Sequence, residues 1–288
     1  MALSFKTRHP SVAGLFYAGD PATLRSQIEE LFTHRLGPGS TPHLSPERKK
    51  ESLGFVVPHA GYMYSGPIAA HAYYKIASEG KPDAFIIIGP NHTGYGTLVS
   101  VMAEGEWLTP LGRVPIDAEL AMEITKESIY ADIDEKAHLY EHSIEVQLPF
   151  LQYIYGESIS FVPIVMLNQE PAVARDLAKA IIEAINKLGK DVVIIASSDF
   201  THYEPHDIAV SKDKMAIDAI IDLDPEKLHA VVEKYGISMC GPGPVMTLLY
   251  MGRDIGSKRA ELLAYATSGD VTGDKSAVVG YAAIRVLK

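Results

Sequence analysis

The sequence predicts an α/β fold of three layers, α/β/α, with a central largely parallel or mixed sheet. Two observations carry the prediction. Four short runs, GFVV (54–57), AFIII (84–88), FVPIV (161–165) and VVIIA (192–196), are apolar throughout. They lack the alternation of a half-exposed strand and so read as strands covered on both faces. Longer helical patterns lie between and after them, the arrangement expected of strands joined by crossover helices.

The first helix is expected over 21–35, where Leu24, Ile28, Leu31 and Phe32 recur at helical spacing. Asp20 stands in the capping position, and Pro21 occupies the first turn, where a missing N–H leaves no bond unmade. Residues 35–51, RLGPGSTPHLSPERKKE, combine Gly, Pro, Ser and charge and are expected to form a mobile surface loop. Further helices are expected over 67–77, 118–127, 141–155, 170–188, 212–221, 225–235 and 242–250, and a last strand over 277–287. Pro163 cannot donate to a ladder, so its strand is expected at a sheet edge or a bulge. No linker or tandem repeat divides the 288 residues, and a single domain over 1–288 is expected.

Composition narrows the function classes. With 47% apolar and 22% charged residues the chain is ordinary globular protein. Its 26 basic and 36 acidic residues give a net charge of −10, which argues against non-specific binding to nucleic acid or anionic membrane. One cysteine, Cys240, excludes an intramolecular disulfide and a CxxC zinc knuckle. The first twenty residues lack a continuous apolar segment with a cleavage site, and no membrane-spanning run is present, so a cytoplasmic protein is expected. A homo-oligomer is compatible with all of this.

Chemistry in a parallel sheet collects beyond the carboxyl ends of the strands. GFVV runs into Pro58-His59-Ala60-Gly61, AFIII into Gly89-Pro90-Asn91-His92, and VVIIA into Ser197-Ser198-Asp199-Phe200-Thr201-His202. Three strands thus deliver His59, His92, Asp199 and His202 to one sheet edge. Cys240 precedes a helical run, where the helix dipole favours a thiolate, and two histidines with one thiolate form a metal-ligand set. In His138-Leu139-Tyr140-Glu141-His142, Glu141 fits a helix N-terminus, while His142 and Glu145 are helical neighbours able to serve as acid, base or ligand support. GPGP and GPNHTGYG match neither nucleotide-binding glycine pattern. Tyr62, Tyr64, Tyr73 and Tyr74 are expected as half-buried packing rather than pocket lining.

RHPSVAGLFY, VPHAGYMYSG, IIIGPNHTGYG, EHSIEVQLPFL, SSDFTHY and MCGPGPV together resemble the Memo family, over nearly the whole chain from about Arg8. The one small departure is Ala18, where the family's early motif has proline. The resemblance implies a fold like that of the LigB-like class III extradiol dioxygenases, in which two histidines and a glutamate hold Fe(II). Carried over motif by motif, the metal ligands fall on His59 and His92, and the third on Cys240, so a thiolate replaces the carboxylate. The dioxygenases' catalytic histidine falls on His202, with Asp199 beside it and His142 around the pocket. A thiolate favours copper or zinc and alters iron's redox potential. One transition metal ion is therefore expected, Fe(II) or Cu first and Zn also compatible. The family is linked to metal binding, redox chemistry and phosphopeptide binding, and in prokaryotes to AMMECR-type and radical-SAM proteins.

Three functions compete at this point. The first is a mononuclear metal site with redox or dioxygenase-like activity on an unidentified small-molecule or peptide ligand. The second is a metal-free cysteine hydrolase or transferase with Cys240 as nucleophile, His202 as base and Asp199 as orienter. The third is a ligand- or peptide-binding protein that keeps a relic pocket without turnover.

Overall fold

A computed structural model describes residues 6–288, so residues 1–5 of the segment read for targeting signals lie outside it. The chain runs β1 (Thr7–Arg8), α1 (Pro21–Thr33), β2 (Ser52–Val57), α2 (Tyr62–Ser78), β3 (Ala84–Pro90), β4 (Val99–Val101), β5 (Glu106–Thr109) and β6 (Gly112–Pro115). It continues through α3 (Ala118–Glu127), β7 (Ala131–Ile133), a 3₁₀ turn (Lys136–His138), α4 (His142–Glu145), α5 (Leu148–Tyr155), β8 (Phe161–Met166) and α6 (Pro171–Leu188). The last part holds β9 (Val192–Ser197), β10 (His202–Glu204), α7 (His206–Ile221), α8 (Pro225–Tyr235), α9 (Pro242–Ile255), β11 (Ala260–Thr267), α10 (Ser268–Thr272) and β12 (Val278–Leu287).

The main sheet has the order β10-β12-β2-β9-β3-β8-β4-β7, with β11 paired to β12. Its centre, β2-β9-β3-β8, is parallel, and β12 and β4 flank it antiparallel, so the sheet is mixed. Strands β2, β3, β8 and β9 are buried along their whole length, which explains their continuous apolar sequence: helices cover both faces. Helix α2 packs on β2 and β12 and carries α1 and α5 with it, while α9 packs on β9, β3 and β2 and carries α6 and α8. Each fully buried Ile, Val or Phe of the central strands adds about 1.5–3 kcal/mol of transfer free energy. Helix α1 is capped as expected, the Asp20 carboxylate accepting from Thr23 N at 3.0 Å.

Several expectations change. Pro163 lies in an interior strand with unbroken register, opposite Ile87, not at an edge or bulge. The carbonyl of Ser160 points to β3 and that of Phe161 away, so alternation turns the proline nitrogen away from β3. On that side β4 pairs only from Ile164 onward, and no ladder bond is lost. The helix expected over 141–155 is two, α4 and α5, because Pro149 lacks the N–H that would return to Glu145 O. Helix α2 starts five residues before Pro67 and α7 six before Lys212. Residues 34–51 form no helix or strand, as expected of a loop; within them Ser45 N donates to Ala77 O at 2.9 Å and Arg48 Nε to Asp191 at 2.7 Å. Among the described residues no helix is long and apolar enough to cross a membrane.

Candidate metal centre

The carboxyl ends of the adjacent strands β2, β9 and β3 place their loops side by side. Two glycines permit the close approaches that complete the site. A Cβ on Gly89, near the end of β3, would collide with Ser143 in α4, and one on Gly241 with Ser198 after β9. The first approach brings Glu141 and His142 beside His92, and the second brings Cys240 against the end of β9.

His59 is buried and held at one nitrogen. Its Nδ1 lies 2.8 Å from Ser197 Oγ. That hydroxyl donates its own proton to Ser143 O at 2.7 Å and accepts from Gln147 Nε2 at 2.9 Å. A hydroxyl has one proton, so His59 Nδ1 must be the donor and Nε2 carries the lone pair. Nε2 faces Cys240 Sγ at 3.1 Å, while Asp199 Oδ1 accepts from His59 N at 2.7 Å. His92 is set by Glu141, which accepts from its backbone N at 2.6 Å and from Nδ1 at 2.8 Å. Its Nε2 is therefore the free nitrogen. His202 repeats the pattern, with Nδ1 donating to Ser238 O at 2.8 Å. Imidazoles fixed through Nδ1 by a carboxylate, carbonyl or hydroxyl are the usual supported ligands of a metal.

Two donor groups result. His59, His92 and His142 each offer a nitrogen within 4.8 Å of the other two, and a nitrogen of His59, a carboxylate oxygen of Asp199 and the sulfur of Cys240 lie within the same distance of one another. His59 belongs to both, but His92 and Cys240 fall in different groups, so the expected set of His59, His92 and Cys240 is not one of the two. His142 stacks on His92, with ring centroids 4.6 Å apart, and Phe16 also packs on His142, at 4.9 Å. Glu145 turns away from the site: it pairs with the buried Arg8 and accepts from Ser11, Val12 and Tyr17.

Electrostatics follows burial and charge. Burial pushes His59 well below the usual imidazole range, and His142 down to about 4 against the pull of Glu141. Burial raises Glu141, but His92 outweighs it and holds the carboxyl at about 2. Asp199 is pushed up to about 6, mainly by burial. Burial and the neighbouring Asp199 charge push the Cys240 thiol well up. The dipole of α9 favours a thiolate, but desolvation outweighs it. Cys240 hydrogen-bonds His59 rather than His202, which is engaged with Ser238.

The groups open on a cavity of about 740 Å³ lined by Phe16, Tyr64, His202, Tyr203 and Tyr281 together with the site residues. Tyr64 is thus a pocket residue, while Tyr62 and Tyr73 are core. Ser197 and Gln147, which fix His59, and Ser238, which fixes His202, were not among the site residues expected from sequence. Ser197 stands in the SSDF motif, but its role depends on a contact 138 residues away in the chain.

The family model described as "Memo-like protein" matches residues 8–285. A "MEMO1 family protein" of Ignicoccus hospitalis is 57% identical over 278 residues, covering 96% of this chain and 98% of the relative. One from Sulfolobus acidocaldarius is 53% identical over 281 residues, with the same coverage of each chain, 96% and 98%. The crystal structure of uncharacterized protein JW3007 from Escherichia coli K12 superposes with a TM-score of 0.53 at 16% identity, covering 81% of this chain and 98% of that one, a likeness of fold. A full-length family match, relatives identical at more than half of all positions, and the motif residues gathered around one cavity lead to a single conclusion: the chain belongs to the Memo family.

Proposed function

We propose that this Memo-family protein binds one transition metal ion through His59, His92 and Cys240 and uses it for redox or dioxygenase-like chemistry. The observation that carries the reading is the fixed tautomer of His59. Ser197 takes the Nδ1 proton and leaves the Nε2 lone pair aimed at the Cys240 sulfur. His92, with Nδ1 on an ionised carboxylate, is prepared in the same way. The donor set of two imidazoles and one sulfur fits Fe(II), Cu or Zn. When bound, such an ion supplies open positions for O₂ or for a chelating oxygen ligand.

The chain's own residues do the rest. Cys240 would hold the ion as a thiolate, its thiol proton leaving to water, and Asp199 N, 3.1 Å from the sulfur, is placed to donate a hydrogen bond to that thiolate. His202, fixed at Nδ1 and facing the cavity, exchanges a proton with the ligand through Nε2. Asp199 and His142, each within one of the two donor groups, would serve as alternative donors or proton acceptors.

Metal analysis of protein purified without a histidine tag tests the reading. One equivalent is expected in the parent protein, near none in His59→Ala, a weakened complement in Cys240→Ala, and retention in His142→Ala. Stoichiometric metal persisting in the His59→Ala, Cys240→Ala double variant would overturn it.

A further inference from the structure

Two donor groups diverge from His59. A carboxylate oxygen of Asp199 and the Cys240 sulfur approach it in one, and nitrogens of His92 and His142 in the other. All three imidazoles line the cavity, whereas the sulfur does not.

The imidazole group is built as a unit. Glu141 stands behind two of its rings: Oε1 accepts from His92 Nδ1 at 2.8 Å and lies 3.7 Å from His142 Nδ1. The second contact is too long for a hydrogen bond, and among the described residues His142 spends neither ring nitrogen on a protein partner. The two rings are 25° from parallel, with centroids 4.6 Å apart. With both Nδ1 atoms towards one carboxylate oxygen and the planes nearly aligned, both Nε2 atoms lead away from Glu141 in the same sense. His59 stands at 81° to each of these rings, with centroids 5.2 Å from His92 and 5.4 Å from His142. Its Nδ1 is committed to Ser197, which leaves Nε2 as its donor.

We infer that His59, His92 and His142 form an all-nitrogen position for a divalent ion of borderline softness, such as Ni(II), beside the thiolate position. Both positions need His59 Nε2, so one ion is held at a time. Its softness decides which side it takes: imidazoles suit nickel, whereas a thiolate draws the softest ions. The inference rests on the metal-centre reading in taking His59 and His92 as ligands, but it needs neither Cys240 nor turnover.

Titration of the chelated full chain, without a histidine tag, with Ni(II) and with Cd(II) tests it. Calorimetry reads the affinity, and the ultraviolet thiolate-to-metal charge-transfer band reads the sulfur. One equivalent of each ion is expected, each displacing the other, with the band present for Cd(II) and absent for Ni(II). His142→Phe keeps an aromatic ring against Phe16 and His92 but removes the nitrogens. It should weaken Ni(II) by at least about tenfold, the lower end of what loss of an outer-shell partner costs a metal site. Cd(II) binding should be unchanged in the same variant, which also shows that it is folded. Cys240→Ser should do the reverse. A thiolate band with Ni(II), or Ni(II) affinity unmoved in His142→Phe, would overturn the inference. Cd(II) affinity unmoved in Cys240→Ser, with the Ni(II) pattern intact, would sink the thiolate ligand of the metal-centre reading alone.

Discussion

The Cys240 sulfur lies 3.1 Å from His59 Nε2, and the imidazole proton is on the opposite nitrogen, committed to Ser197. The pair therefore holds its proton on sulfur: the thiol donates and the imidazole accepts. Burial and the Asp199 charge reinforce this by pushing the thiol well above its usual range. In chelated, folded protein Cys240 should thus react with iodoacetamide at pH 7.5 at least about tenfold more slowly than free cysteine, because only the thiolate attacks. Mass-spectrometric timing of the alkylation measures this. Rapid stoichiometric labelling would favour the cysteine-nucleophile mechanism instead.

Glu141 is the second lever. It accepts from the backbone and the ring of His92, caps α4 through Ser143 N at 2.9 Å, and stays ionised. Glu141→Gln keeps the size but removes the charge that orients His92. Metal affinity should fall about 10–100-fold, as for other carboxylates that support a ligand histidine. Competition with a chromophoric chelator reads the change, and unaltered affinity would show that His92 needs no support.

How much of this was legible in the sequence depends on the range of the interaction concerned. The four buried strands were readable because burial on both faces forces continuous apolar sequence, and the strand-end rule then placed His59, His92, Asp199 and His202 on one edge. Short strands such as β4, β7 and β10 escaped because three residues carry no period. β11 escaped as well, although it is longer. The helix start beside Cys240 conveys only part of its environment. A helix start is visible in sequence, whereas the desolvation and the Asp199 charge that overrule it come from tertiary packing. Nor can a sequence show that Ser197 spends its proton on Ser143, the fact that fixes the tautomer of His59.

Asp199 yields a pH prediction. Burial raises its carboxyl from 3.8 to about 6, so the fold prefers the protonated form. That preference contributes stability below the unfolded value and loses it as pH rises through about 6. Asp199→Asn removes the ionisation while retaining an oxygen to accept from His59 N. The chelated variant should therefore be more stable than the parent at pH 8, by roughly 1–3 kcal/mol, with the advantage fading below pH 4. Urea unfolding at both pH values decides it, and an equal offset at the two would refute the linkage.

Arg8 provides the last prediction. Its guanidinium is buried over Trp107, 4.3 Å from the ring centroid, and pairs with Glu145. It also donates to the carbonyls of His138 at 3.0 Å and Glu141 at 2.9 Å, so it fixes the segment that carries Glu141 and His142. Burial raises Glu145, but Arg8 and the donors of Ser11, Tyr17 and Val12 bring it below the usual range. Its ionised form thus contributes stability above the unfolded pKa, and that contribution is lost as pH falls through the folded one. Arg8→Met leaves a buried carboxylate without its cation and should cost about 3–5 kcal/mol near pH 7. The Arg8→Met, Glu145→Gln pair should cost less than the sum of the single changes, because the second removes the stranded charge. Urea titrations of the four proteins give the coupling, and strictly additive losses would show that the pair acts only as two separate packing residues. The penalty of Arg8→Met should also shrink as pH falls towards 4, where its abandoned partner takes up a proton.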